Sequence, residues 1–299
     1  MDVQLIGVPM DLGADRRGVD MGPSAIRYAG LSEAVESAGH DCADRGDLAV
    51  PRPETQEDTD DEYGGRAKFL GETQQVCTAL SDTVADTLAD DRFPLVLGGD
   101  HSIAVGSLGD AARDHDVGVV WFDAHGDYNT PSTTPSGNVH GMSLAAALGV
   151  GEFADHDWAD SGIDPSNVAL VGIRDLDEQE REALAASDVT VYTMGDIDEQ
   201  GLPAVADAAL DVAMDGTDGF HISLDMDFLD PDEAPGVGTP VRGGATYREA
   251  HAAMEEVAAH RDHLVSMELV EVNPILDTHN RTAKLGVELV ASGLGKRII

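Results

Sequence analysis

Lysine is almost missing from this sequence. Only Lys68, Lys284 and Lys296 occur in 299 residues, and Lys and Arg together number 18 against 57 Asp and Glu, a formal net charge of −39. Nucleic acids and anionic membranes both reward clusters of Lys and Arg, so this balance speaks against either as a partner. Long apolar runs are also absent: none approaches the ~18 residues of a membrane-spanning helix. Cysteine is limited to Cys42 and Cys77, and the expectation is two reduced thiols in a cytoplasmic protein. Cys77, beside the stripe Val76, Leu80, Val84 and Leu88, reads as a buried helical thiol. The opening Met1-Asp2-Val3-Gln4-Leu5-Ile6 has no basic stretch and reads without a secretory signal.

Hydrophobic residues nevertheless make up 42% of the chain. Disorder needs low hydrophobicity as well as high charge, so this chain is expected to fold. Short apolar runs at 3–8, 94–98, 117–122, 167–173, 189–194, 219–224 and 264–270 read as strands. Between them, helical patterns fall near 22–38, 66–90, 102–113, 141–149, 177–186, 202–213, 246–259 and 279–294. The first of these has Pro23 just inside its start and Gly39 beyond its end, the usual asymmetry of helix termini. Strand–helix alternation predicts parallel βαβ units with helices on both faces, and most of the strands lack polar alternation, as two-sided burial demands. No repeat or linker divides the chain, so a single domain over 1–299 is expected. Only the acidic stretch 54–62, after Pro51 and Pro53, departs from the pattern and reads as a solvated loop.

The polar residues collect after the strands. Run 94–98 leads into Gly98-Gly99-Asp100-His101-Ser102 and run 117–122 into Asp123-Ala124-His125-Gly126-Asp127. Run 219–224 leads into Asp225-Met226-Asp227, and run 264–270 into Glu271-Val272-Asn273-Pro274. Ligands of open parallel sheets bind at the carboxyl ends of strands, so the four clusters should meet. Residues i and i+2 of an extended chain point the same way, so Asp123, His125 and Asp127 converge, as do Asp225 and Asp227. Four packed carboxylates repel one another unless cations sit among them. With His101 and His125 the set is too large for one tetrahedral zinc and contains no thiolate. Mixed oxygen and imidazole ligation suits manganese, with cobalt, iron or nickel as competitors, and two metals sharing carboxylates would use every ligand. Asp100 could simply cap the following helix. His221, inside an apolar strand, reads as a hydrogen-bonded core residue. His40, His115, His156, His251, His260, His263 and His279 read as surface residues.

With these residues in place, the chain resembles the ureohydrolase family of binuclear manganese enzymes, which includes arginases and agmatinases. The resemblance rests on GGDHS at 98–102, DAHGD at 123–127 and SLDMDFLDP at 223–231, and extends from Val8 to Asn280. It implies a three-layer α/β/α fold around a central, mostly parallel sheet. It also implies two Mn2+ per subunit, with Co2+, Fe2+ or Ni2+ possible. His101, Asp123, Asp127 and Asp225 would hold one ion, and Asp123, His125, Asp225 and Asp227 the other. Two such cations lower the pKa of a shared water enough to hold hydroxide near neutral pH, and that hydroxide would attack the guanidinium carbon. Asp127 would pass the proton to the departing amine, His140 would act as a proton shuttle, and Glu271 would pair with the guanidinium.

The family's members differ in what holds the far end of the substrate. Asn129, Ser136 and Asn138 match positions that contact an α-carboxylate; Asp175, Asp177 and Glu180 match residues around an α-amino group, and Thr239 completes the substrate-contacting set. Ser-Gly-Asn at 136–138 is equally ordinary turn chemistry. In this family context the set implies L-arginine as substrate and L-ornithine and urea as products. Agmatine or another guanidino compound on the same metals is the alternative, and a non-catalytic metal binder or a phosphoesterase are more distant ones. The stretches 16–31 and 271–277 match bacterial-type arginases. The family also implies a homo-oligomer, a trimer or hexamer. The remaining acids, with arginine preferred to lysine, resemble the surface of an extreme halophile's cytoplasmic protein.

Overall fold

The computed structural model describes residues 1–14, 17–52, 66–109, 111–112 and 116–297. The acidic stretch 54–62, His115 and the start of the 16–31 match lie outside them. In chain order the elements are β1 (Asp2–Val8), α1 (Gly22–Tyr28), α2 (Leu31–Ser37), β2 (Asp41–Asp47), α3 (Leu70–Ala89) and β3 (Phe93–Gly98). Then come α4 (Ala104–Gly109), β4 (Val117–Phe122), α5 (Ser143–Ala147), β5 (Val168–Ile173), α6 (Glu178–Ala185) and β6 (Thr190–Thr193). The last elements are α7 (Met194–Gln200), α8 (Leu202–Ala213), β7 (Gly219–Asp225), α9 (Tyr247–Ala259), β8 (Leu264–Val270) and α10 (Arg281–Gly293).

The eight strands form one sheet in the order β2-β1-β3-β8-β7-β4-β5-β6, and every pairing is parallel. Strands β3, β4, β5 and β7 are buried at every residue. Their side chains divide by the strand's two-residue period. Leu95, Val120, Phe122 and Ile222 face a core with α1, α2, α8, α9 and α10. On the other face, Val119, Trp121 and Leu170 pack with α4, α5 and Leu184 of α6; Ile6 and Val96 meet Val76, Leu80 and Val84 of α3. The result is the three-layer arrangement expected, with an all-parallel sheet.

Three elements differ from the sequence reading. The helix expected over 22–38 is two, because Gly30 takes φ 90° and ends the first, a conformation open to glycine at little cost. Strand β2, DCADRGD, is half-exposed and has no apolar pattern; the Arg27 guanidinium reaches Asp44 at 2.7 Å and 3.0 Å and ties this edge to α1. Helix α7 is short and polar, and is started by a reciprocal capping box between Thr193 and Asp196.

Four strands matter most for function. β3, β8, β7 and β4 lie side by side at the centre of the sheet, so the segments that follow them share one edge.

Candidate metal centre

Each segment leaving these strands is shaped by its own polar residues. After β3, a Cβ on Gly99 would stand 1.9 Å from the Met10 carbonyl oxygen, so only glycine permits this close approach. Asp100 accepts from the Ser102 amide (3.1 Å) and the Gly13 amide (2.8 Å). It is buried and acts as the cap, while the next residue, His101, turns toward the sheet's edge. After β4, Asp123 accepts from Trp121 Nε1 (2.9 Å) and the His125 amide (2.7 Å). After β7, Asp225 accepts from the Asp227 amide (2.7 Å), and Asp227 from the Ala124 amide (3.1 Å) and Thr239 Oγ1 (3.0 Å). These contacts leave each carboxylate little freedom to turn.

His101, Asp123, Asp127, Asp225 and Asp227 are all buried, and all six expected ligands converge. Among the described residues His101 Nδ1 makes no hydrogen bond, yet oxygens of Asp123, Asp127 and Asp225 each stand 3.1 Å from it. His125 Nδ1 lies 3.0 Å from Asp227 and 3.4 Å from Asp123. Two overlapping groups result, His101–Asp123–Asp225 and Asp123–His125–Asp227, with the ligand atoms of each within 4.8 Å of one another. Asp123 belongs to both.

The electrostatics call for cations. Burial raises the pKa of Asp225, and repulsion from Asp227 and Asp123 adds to it. Burial likewise raises Asp127, with Asp123 adding to the effect. Burial opposes a charged His101, but Asp123, Asp127, Asp225 and Glu268 outweigh it and hold its pKa well above the usual value. A proton shared among carboxylates is a poor substitute for a divalent ion with oxygen and imidazole ligands. The orphaned Nδ1 and the oxygen-rich donor set therefore fit two metals.

A cavity of about 260 Å3 opens over this centre, lined among others by His125, Asp127, Asn129, His140, Asp177, Glu180 and Thr239. His140 Nδ1 pairs with Glu271 Oε1 at 3.1 Å. Burial would lower the His140 pKa, but Glu271 prevails and pushes it up to about 9. Glu271 is buried, also accepts from the His101 amide (3.0 Å), and among the described residues keeps Oε2 without a hydrogen-bond partner. Asp127 and Glu271 both hold left-handed backbone, φ 49° and 61°, a costly conformation for non-glycine residues that is often found at functional sites.

The expected substrate end is less uniform. Asn129 Nδ2 donates to Asp177 (2.7 Å) and its Oδ1 accepts from Thr133 (2.9 Å). Asp177 caps α6 through the Gln179 and Glu180 amides (2.9 and 3.0 Å). Burial pushes the Glu180 carboxyl up to about 8, with the Tyr128 amide opposing and Asp127 and Asp177 reinforcing. Asp175 is on the cavity wall. Ser136 and Asn138 are not among its lining residues. Ser136 is exposed and accepts from the Asn138 amide at 3.1 Å, the turn contact; Asn138 Oδ1 accepts from Lys68 Nζ at 3.2 Å.

Of the histidines outside the centre, His221 is the expected core residue, buried and 2.7 Å from Ser266 Oγ. His251, expected at the surface, is buried between α9 and α10 with Nδ1 2.8 Å from Ser292 Oγ; the helical register hid this. Cys77 is buried as expected and donates to the Ser102 carbonyl. Sequence reasoning passed over Arg174, whose guanidinium donates to the carbonyls of Gly172, Asp227, Phe228, Leu229 and Val241 and pins the segment after β7. An arginine immediately past a strand end was the available signal.

The sequence profile of the arginase family matches residues 1–295. The arginase of Brevibacillus brevis is 47% identical over 301 residues, covering 100% of this chain and 99% of the relative. The arginase of Bacillus subtilis strain 168 is 47% identical over 300 residues, covering 99% of each. The solved structure of Bacillus caldovelox arginase superposes with a TM-score of 0.93 at 45% identity, covering 100% of this chain and 99% of that one.

Proposed function

The chain belongs to the arginase family, and we propose that it hydrolyses the guanidinium group of L-arginine, releasing L-ornithine and urea. The observation that carries this reading is the pair of His–carboxylate groups that share Asp123 at the floor of a polar cavity. His101, Asp123, Asp127 and Asp225 would hold one Mn2+, and Asp123, His125, Asp225 and Asp227 the other. Bound there, the two ions supply a water acidic enough to act as a nucleophile at neutral pH.

The chain's own residues do the remainder. Asp127, with Oδ2 beside Ser143 Oγ (3.2 Å) and His101, is placed to hold a proton over the centre and hand it to the departing amine. With Nδ1 held by Glu271, His140 offers Nε2 for proton exchange with solvent and product, and a pKa near 9 keeps it charged at neutrality. Glu271 Oε2, which has no hydrogen-bond partner among the described residues, would pair with the guanidinium. Asp177 suits an ammonium group, with Glu180 behind it as a mostly protonated neighbour on the cavity wall, and Asn129 suits a carboxylate, as an amino-acid substrate requires. Thr239 lines the cavity where the substrate would lie and also donates to Asp227, a metal ligand.

A substrate panel tests this reading, using protein loaded in turn with Mn2+, Co2+, Fe2+ and Ni2+. L-Arginine turned over fastest with Mn2+ is the expected result. Hydrolysis of agmatine or guanidinobutyrate without hydrolysis of arginine would overturn it.

The reading extends to the setting: a cytoplasmic, single-domain protein of 1–299 assembling as a trimer or hexamer, with an acidic surface adapted to high salt. Both described cysteines are free thiols, which suits a reducing compartment. At ~1 M salt charges are screened beyond about 3 Å, so a −39 chain tolerates there what dilute buffer would penalise. Loss of stability on desalting, followed by thermal unfolding, is the expected outcome.

A further inference from the structure

Beneath His101 lies a second buried polar group that contains none of the expected ligands. Glu268 is on β8, fully buried in a strand otherwise rich in apolar residues. In the sheet register it pairs directly with Ser223 of β7, as Ser266 pairs with His221. Glu268 Oε1 accepts from Ser223 Oγ at 2.7 Å, and Oε2 accepts from Ser107 Oγ. His101 Nε2 and His221 Nε2 stand 3.7 Å and 3.8 Å from Oε1.

The donors can be counted. His101 Nε2 lies 2.7 Å from Ser223 Oγ. A serine hydroxyl has one proton, and Ser223 gives its proton to Glu268. Toward His101 it can therefore only accept, which places a hydrogen on Nε2 and makes Nδ1 the nitrogen that gives up its proton to a metal. That nitrogen is the orphan facing Asp123, Asp127 and Asp225. Stacking on Trp121 at 4.2 Å fixes the ring plane. Among the described residues His125 has no comparable support: its side chain is 23% exposed, and the partner of its Nε2 is Asp175, itself 65% exposed, at 4.0 Å.

We propose that Glu268 is a positioning residue that, through Ser223, fixes the metal-binding tautomer of His101 and so controls occupancy of one of the two metal positions, the one built on His101. The position built on His125 does not depend on it. This rests on the reading of the site as a binuclear centre, and the test separates the two.

Metal-free wild type, Glu268→Gln and Ser223→Ala are titrated with Mn2+ against a competing chelator, and EPR distinguishes a coupled ion pair from an isolated ion. Wild type should bind two ions. Both variants should bind one ion 10–100-fold more weakly, the usual effect of removing a ligand's hydrogen-bond partner, and show an isolated-ion spectrum at concentrations that give the coupled pair in wild type. Two wild-type affinities in Ser223→Ala, which loses only a hydroxyl, would overturn the proposal even if Glu268→Gln failed to fold. So would an equal weakening of both ions, which marks general destabilisation. Fewer than two ions in wild type would remove the binuclear centre itself and the proposal with it.

Discussion

The floor of the cavity and its rim are held in different ways. On the floor, Asp123 and Asp225 stand at the ends of central strands, and backbone amides or Trp121 fix their carboxylates. On the rim, Asn129 and Asp177 sit in connecting segments and Glu180 in the first turn of α6, and they hold one another, side chain to side chain or as a helix cap. The sheet thus determines the floor, while short polar contacts determine the rim. A floor of this kind can serve any guanidino substrate, and the rim can change its preference without disturbing the floor.

The most direct way to break this division is Asp123→Asn. Removing a group that merely orients a metal ligand costs about 10–100-fold in affinity. Loss of a ligand common to both metal groups should cost more, with metal and turnover disappearing together. Elemental analysis beside steady-state rates decides it; full activity would refute a shared ligand.

His140 stands between floor and rim, and its removal should separate chemistry from metal binding. General acid–base groups contribute about 10²–10⁴-fold, so His140→Asn should lower kcat by that order with both metals retained. The Glu271 pairing raises the His140 pKa against burial to about 9. The imidazolium is therefore present below that pH and lost above it. Wild-type kcat should fall as pH rises through about 9, and the variant should lack this limb. The same sign governs stability: the pair's contribution is complete below the ordinary histidine pKa and disappears as pH passes about 9.

What the sequence disclosed follows the same line between floor and rim. Runs such as 117–122 are apolar on both faces because the sheet is covered on both sides, and the acids beyond them appear as sharp changes in composition. Spacing of i and i+2 was enough to group Asp123 with His125 and Asp225 with Asp227. Strand β2 was invisible because its pairing is carried by backbone hydrogen bonds and Arg27, with no apolar side chains to mark it. The break at Gly30 depends on one backbone angle. Glu268 went unremarked inside the apolar run 264–270, since its partners Ser223 and Ser107 are remote in sequence. The rim was legible only through resemblance, which gives the kind of residue and not its distance from the cavity.

Asn129 and Ser136 therefore supply the finest test. Both were expected at the carboxylate end, but Asn129 lines the cavity and is tied to Asp177, whereas Ser136 is exposed and bonded to its own turn. A single hydrogen bond contributes roughly 0.5–1.5 kcal/mol, up to about tenfold in binding. Asn129→Ala should raise KM for L-arginine about tenfold with little change in kcat, because the floor is untouched and Asp177 loses its partner. Ser136→Ala should change KM by less than about threefold, since its hydroxyl acts within the turn. Equal effects from the two variants would mean that the turn closes over the substrate and that the rim is assembled by binding. A fall in kcat from Asn129→Ala at constant KM would erase the distinction between rim and floor, because an interaction made only in the transition state belongs to the chemistry.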